Sequence, residues 1–487
     1  MRCAGEGPPA HPLATLRQTG GLLTYRAWRM TDFHASSQAT RIESVEQLVE
    51  QLHVAGKPRD RWRIGTEYEK VAVERATGRA ARFSGPNGIE ALLRALADRF
   101  GWEPKEEDGR TVALARTGAS ITLEPGGQLE LSGEQCSTIH CTHGEMTTHV
   151  REIVSIGREL GLAFLGLGMQ PVSRLEDIEW VPKQRYRIMA PYMTRVGTLG
   201  QRMMKQTATV QANIDYSDEP DAMRKLRVGL GISPLVNAMF ANSSVSDGDL
   251  NGYMSFRGHI WTDTDAARCG LLRFAFREGA GFADYVAWAL DVPLYFILRG
   301  GRYQTSVTGV PFRRFLAEGA GSERATLDDW NLHLTTLFPE VRLKGYIELR
   351  AADSQPPERI LALPALVKGV FYEADCLDAA YDLIKRWSYE DCVALYRDVH
   401  REALHARLRG VKVLELAREL YAIAEEGLRR HRALNEAGQD ERLYLERVGE
   451  QLAMGRSPAR VIAEKWVREW EDARRIEQLL AYAEFQI

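Results

Sequence analysis

SITLEPGGQLELSG, residues 120–133, alternates apolar and polar side chains on both sides of Pro125-Gly126-Gly127, the pattern of two short strands joined by a tight turn. Ile121, Leu123, Leu129 and Leu131 make one face apolar, and Glu124, Gln128 and Glu130 occupy the other. Two carboxylates crowded beside a turn repel one another and gain nothing from burial alone, so the arrangement calls for a positive charge to hold.

The same habit recurs along the chain. In RWRIGTEYEKVAVE, residues 61–74, Trp62, Ile64 and Tyr68 share one parity and Gly65, Glu67 and Glu69 the other, which predicts a strand with an acidic face. TATVQANIDY, residues 207–216, sets Ala208, Val210, Ala212 and Ile214 against Thr209, Gln211, Asn213 and Asp215. VRLKGYIELR, residues 341–350, reads as one more strand, with Arg342, Lys344, Tyr346, Glu348 and Arg350 on its polar face. If these strands join one sheet with helices under the apolar faces, their oxygens line a single open face. Hard cations such as Mg²⁺ or Mn²⁺ bind such ligands. A lone glutamate on a strand face is ordinarily a solvated residue; several strands with one habit point to a shared site.

Helical signals fall between the strands. SVEQLVEQL opens at Ser44 with a capping Ser and a Gln three residues on. GPNGIEALLRALADRFGW is amphipathic, Cys136 to Leu162 reads as a loop followed by a long helix, and further helices are expected around 221–241 and 281–290. Beyond Pro356 the pattern is helical almost to the end, and one last helix is announced by Ser457 as cap and Pro458 at its first position. The expected fold is therefore α+β.

With 487 residues, 45% hydrophobic and 26% charged, and a net charge of −3, the chain has globular composition and no basic face for nucleic acid or an anionic membrane. No apolar run reaches the length of about eighteen residues that a membrane span needs. Six irregularly spaced cysteines suggest reduced thiols and a cytoplasmic setting. Residues 1–42 are expected to be a disordered extension, or the product of translation starting upstream of Met30, with an organellar transit peptide as the alternative.

Bases accompany the acids: Lys183, Arg185 and Arg187 in PKQRYRIM, Arg202 and Lys205 in QRMMKQ, and Arg257 in MSFRGHIWTDTD. Arginine beside a magnesium site suits a phosphate or carboxylate, because its planar fork binds such groups bidentately. The phosphate loop G-x-x-x-x-G-K-[ST], G-x-G-x-x-G after a strand, H-E-x-x-H and G-x-S-x-G are all missing, so any ATP is held through metals and arginines. CSTIHCTHGEMTTH gathers Cys136, His140, Cys141, His143 and His149, yet matches no usual spacing of zinc ligands. Thr138 or Thr142 as a helix cap is the better reading.

RIGTEYEK, ITLEPGGQLELSG, TVQANIDY, SFRGHIWTDTD and LDVPLYF, in that order, resemble glutamate–cysteine ligase of the plant and proteobacterial type, from about Glu43 to the C-terminus. The resemblance implies a glutamine-synthetase-like fold: a curved, mainly antiparallel sheet forming a funnel backed by helices, one catalytic domain over 43–487 with a helical part from about 357. It implies that ATP phosphorylates the γ-carboxylate of glutamate and that the amine of cysteine then displaces phosphate to give γ-glutamylcysteine. Carried over position by position, it places Glu67, Glu69, Glu124, Glu130 and Glu348 among the magnesium ligands, with Gln211 and Asn213 as neutral contributors at the nucleotide. Arg185 and Arg257 match positions that handle substrate and phosphate charge, Arg350 assists, and Tyr295 in LDVPLYF matches a position near the cysteine pocket.

The plant pattern is not followed throughout. His143 and Leu361 stand where members of that type carry one regulatory cysteine pair, and the stretch Tyr303 to Trp330, where the other pair would lie, has no Cys. Activity independent of an intramolecular disulfide is expected. A ligase of the same fold with another amine acceptor, a phosphotransferase that stops at the phosphorylated substrate, and a non-catalytic glutamate- or nucleotide-binding protein are the competing readings. A monomer or homodimer is expected.

Overall fold

The computed structural model describes residues 40–486. The expectations for the N-terminal extension, including Cys3, fall on residues 1–39 and lie outside the described residues. Thr40 to Ile42, expected to belong to that extension, already pack on the body: Arg41 bridges Thr326, and Ile42 N–H donates to the Ala325 carbonyl at 3.1 Å.

Among the described residues the main sheet has nine strands, all neighbours antiparallel. They are β1 (Ile64–Glu74), β2 (Glu103–Glu107), β3 (Arg110–Arg116), β4 (Ala119–Leu123), β5 (Leu129–Ser132), β6 (Leu162–Leu165), β7 (Thr209–Ile214), β8 (Val341–Leu343) and β9 (Ile347–Asp353). The order across the sheet is β8-β9-β7-β1-β5-β4-β3-β2, and β6 pairs the far half of β1. The 120–133 hairpin forms as its alternation predicts, with Ile121 opposite Leu131 and Thr122 opposite Glu130.

Helices cover one side. Ile139–Glu159 packs on β1 and β6, Ile89–Phe100 on β3, Glu219–Phe240 on β8 and β9, and Ala362–Phe371 on β7 and β1. Beneath them Ile64, Tyr68, Leu123, Leu129, Leu131, Val210, Ala212, Ile214, Ile347 and Leu349 are all buried, each large aliphatic side chain contributing about 1.5–3 kcal/mol. Beyond Glu69 the other face of β1 also turns apolar: Val71 and Val73 join Ala163, Leu165, Ile462, Trp466 and Leu479 in a second core under the C-terminal helices. The acidic face is therefore closed at one end and open at the other.

Four expectations are corrected. VRLKGYIELR is two strands and a turn, because Lys344 N–H bonds back to the Tyr346 carbonyl at 2.8 Å and Leu343 pairs with Ile347. The last helix is two, Pro458–Arg468 and Arg475–Ala483, with Ser457 Oγ capping the first as expected. Ser44 does not cap the first helix, Glu46–Val54, whose cap position is Val45. Cys136 and Cys141, expected as free thiols, form a disulfide with Cα atoms 5.8 Å apart. Thr138 Oγ accepts Cys141 N–H at 3.2 Å and starts the helix Ile139–Glu159, and that first turn curls Cys141 back over Cys136.

Candidate functional site

Strand register gathers the acidic residues. Glu69 lies opposite Glu130, Glu67 opposite Gln211, and Glu348 opposite Asn213. Directly opposed residues in an antiparallel pair share a face, so Glu67, Glu69, Glu130, Gln211, Asn213 and Glu348 line one side of β5, β1, β7 and β9. Glu124 sits at the turn after β4, where its N–H bonds to the Gln128 carbonyl at 2.9 Å. Gln128, read as another member of the polar face, serves the turn instead: its Oε1 accepts Gly126 N–H at 2.9 Å, and its Nε2 donates to the carbonyls of Met204 at 3.3 Å and Thr207 at 2.8 Å.

The acidic half of the face is short of positive charge. Burial, then Glu348 and Glu130, push the Glu67 carboxyl up to about 8. Burial followed by the charges of Glu124 and Glu130 holds Glu69 well above the usual carboxylate range, and burial with Glu124 raises Glu130. Local donors offset this only in part: Asn213 Nδ2 to Glu67 at 2.8 Å, Thr209 N–H to Glu69 at 3.0 Å, and Thr122 Oγ to Glu130 at 2.6 Å. Asn213 Oδ1 has no hydrogen-bond partner among the described residues. A bound cation would relieve the mutual repulsion among these buried carboxylates, and all-oxygen donors fit Mg²⁺. As the side chains stand, however, no three acidic, His or Cys groups among the described residues converge on one point. The donor chemistry fits a divalent ion; the ligating geometry requires the side chains to close in.

Glu348 differs from the rest. Arg342 grips it through two hydrogen bonds, Nε to Oε2 at 2.5 Å and Nη2 to Oε1 at 2.9 Å, and Arg350 Nη1 adds a third at 3.2 Å. Burial would raise its carboxyl, but Arg342, Lys344 and Arg350 outweigh burial and hold it far below the usual range. Arg342 and Lys344 were legible as bases on the strand face; their assignment to Glu348 needed the hairpin that folds one half of the segment onto the other.

The arginines come from three elements. Arg350 Nη1 also donates to Gln211 Oε1 at 2.8 Å, and Arg257, in the first turn of the helix Phe256–Trp261, donates Nη2 to the Arg350 carbonyl at 3.1 Å. Arg185 stands in the first turn of the helix Gln184–Val196, whose start is tied to β4 by Lys183 Nζ and the Tyr186 hydroxyl, at 2.9 and 2.6 Å from the Leu123 carbonyl. Arg185 Nε has no hydrogen-bond partner among the described residues. Burial lowers the Lys183 ammonium to about 8.

Tyr295 does not join this group. Its ring packs edge-on to Tyr192 at 5.0 Å with the Arg268 guanidinium 3.9 Å over it, and its hydroxyl faces Met193 Sδ at 3.6 Å. A residue missed in the sequence is Asp353, fully buried at the end of β9. Strand alternation from Glu348 puts it on the opposite face, and only an extra residue in the strand brings it round.

The arrangement can bind cations on one half and phosphate or carboxylate groups on the other. The family model described as glutamate-cysteine ligase family 2 matches residues 63–478. The chain is 41% identical over 437 residues, 89% of its length and 86% of the relative's, to the protein named glutamate–cysteine ligase B, chloroplastic, of Oryza sativa subsp. japonica. It is 42% identical over 435 residues, 89% of this chain and 81% of the relative, to the chloroplastic glutamate–cysteine ligase of Arabidopsis thaliana. The crystal structure of glutamate–cysteine ligase from Francisella tularensis in complex with AMP shares the fold at a TM-score of 0.53 and 13% identity, over 86% of this chain and 88% of that one. The chloroplastic names of the plant relatives overturn the cytoplasmic setting read from the cysteines: cysteine usage of this kind does not mark the cytosol.

Proposed function

Since this chain belongs to glutamate–cysteine ligase family 2, we propose that the carboxylate- and arginine-lined sheet face is where it works. The reaction is the ATP-dependent joining of glutamate to cysteine to give γ-glutamylcysteine, the first step of glutathione biosynthesis. The observation that carries the site assignment is the set of mutually repelling buried glutamates beside partly unengaged arginines.

A carboxylate is a poor electrophile, so the γ-carboxylate of glutamate first takes the terminal phosphoryl group of ATP, forming an acyl phosphate and ADP. The cysteine amine then attacks the carbonyl carbon of that acyl phosphate; the C–N bond forms, the C–O bond to phosphate breaks and releases phosphate, and the nitrogen loses its extra proton to solvent. Glu67, Glu69, Glu124, Glu130 and Glu348 would hold Mg²⁺, or Mn²⁺, with Gln211 and Asn213 as neutral donors toward the nucleotide. When bound, the metal neutralises phosphate charge during transfer. Arg185 and Arg257 orient the anionic groups by bidentate contacts, and Arg350, fixed by Gln211 and Glu348, presents its remaining donors beside them. Tyr295, held between Tyr192 and Arg268, serves as a wall near the amine acceptor. The catalytic domain spans 43–487 in this reading, as a monomer or homodimer.

The test is incubation with ATP, Mg²⁺ and glutamate, adding amines one at a time and identifying products by mass. A γ-glutamyl product that requires cysteine is expected. Turnover only with another amine, phosphate transfer without amide formation, or no turnover would each replace this reading.

A further inference from the structure

We propose that Asp353 is the positioning residue of Arg257, brought to that task by a bulge in β9. Leu349 pairs with Ala212 and Ala352 with Val210, so β9 spends three steps where β7 spends two. One extra residue in a strand reverses its alternation. Glu348 lies opposite Asn213 and Asp353 opposite Thr209; both partners belong to the same face of β7, so Asp353 lands on the side that carries Glu348. The bulge also releases two carbonyls from the ladder. That of Arg350 accepts Arg257 Nη2 at 3.1 Å, and that of Ala351 accepts Asn237 Nδ2 at 3.0 Å.

Asp353 is fully buried and ties together the segments that carry Arg257. Its Oδ2 accepts the Asn242 N–H at 2.8 Å and the Ser243 hydroxyl at 2.7 Å, and its Oδ1 accepts the Ser255 hydroxyl at 2.9 Å. Both serines reach onward to the helix that carries the arginine: Ser255 Oγ caps it by accepting Gly258 N–H, and Ser243 Oγ accepts the N–H of Arg257 itself, each at 3.1 Å. The guanidinium faces the same carboxylate, Nη1 lying 3.9 Å from Oδ1. At that distance Asp353 attracts the guanidinium without a hydrogen bond, leaving Nη1 free to turn to a ligand. One buried carboxylate thus sets the backbone, the helix cap and the charged end of Arg257.

This rests on the reading of Arg257 as a residue that receives an anionic group, and the experiment separates the two. Arg257→Ala should lower kcat/KM about a hundredfold, the scale of a lost positioning contact. Millimolar guanidinium chloride should restore part of the loss, because a free guanidinium ion can occupy the space beside Asp353. Asp353→Asn alone should lower kcat/KM about tenfold, and combined with Arg257→Ala it should abolish the rescue. A merely structural Asp353 would lower both levels and leave the rescue ratio intact, which overturns the inference, as does absence of rescue with Asp353 in place. Wild-type kinetics for Arg257→Ala would instead overturn the assignment of Arg257. Should Asp353→Asn lose its cooperative melt, Asp353→Ser removes the charge while leaving a hydroxyl to meet Ser243 and Ser255; undiminished rescue in that background also overturns the inference.

Discussion

Glu67 shows how one side chain can be unfavourable for the fold and necessary for the chemistry. Its carboxyl is pushed up to about 8 by burial and by its acidic neighbours, so its ionised form is costly until a cation arrives. Glu67→Gln should therefore leave the melting temperature at pH 8 unchanged or higher while turnover falls by about 10²–10³, the scale of losing a preorganised electrostatic contact. Near-normal turnover at limiting Mg²⁺ would remove Glu67 from the site. His333 tests the opposite sign. Burial, helped by the charge of Arg268, drives its imidazole down to about 3, and its ring Nε2 lies 2.9 Å from the Ala289 carbonyl. The unfolded chain takes up that proton near pH 6.5, so the contribution of neutral His333 is complete above that pH and is lost as the pH falls toward 3. Relative to His333→Gln, wild-type stability should fall more steeply by about 1.4 kcal/mol per pH unit below pH 6. Urea midpoints for the two proteins at pH 7.5, 6.5, 5.5 and 4.5 measure this, and parallel profiles would contradict it.

At the scale of elements, the turn of the 120–133 hairpin is tied to residues 204–207 by the Gln128 amide. Gln128→Ala removes the bonds to Gly126, Met204 and Thr207 and should cost about 1–3 kcal/mol, with turnover also reduced well below the melting temperature, since Glu124 and Glu130 flank that turn. A stability loss without any change in turnover would mean that the turn does not position the acids. What could be read beforehand follows from how local each feature is. Period-two alternation in β1, β4, β5 and β7 is carried by neighbouring residues, and it correctly grouped Glu67, Glu69, Glu130 and Gln211 because every pairing among those strands is in simple register. VRLKGYIELR alternates so cleanly that its turn is invisible; only pairing of Leu343 with Ile347 shows it. The bulge before Asp353 depends on how β9 meets β7, a partner well over a hundred residues away, so no local pattern could place that residue beside Arg257. The grip of Arg342 on Glu348 was hidden by the unseen turn, which sets the two residues opposite each other.

For the whole molecule, the Cys136–Cys141 link is a local staple. It closes a loop of only a few residues, so the chain-entropy estimate of its contribution is about 2 kcal/mol. The start of β1 is held independently by paired bonds between Ile64 and Cys136, at 2.8 and 2.9 Å. Cys141→Ser, or reduction of the wild type, should lower stability by that amount and leave turnover unchanged, read by melts and rates on the same samples; a several-fold change in rate would show that the staple governs the site. The pairing of Glu348 with Arg342 has a consequence of another kind. Because Arg342, Lys344 and Arg350 outnumber the one carboxylate they surround, while the carboxyls of Glu67, Glu69 and Glu130 are all raised, positive charge gathers at the β8–β9 side of the face. A molecule with phosphate at one end and ammonium at another experiences a torque before it makes contact, and arrives already turned. That alignment reaches only about 8 Å into solvent at physiological ionic strength, so added salt should slow the capture of charged substrates more than it slows their conversion.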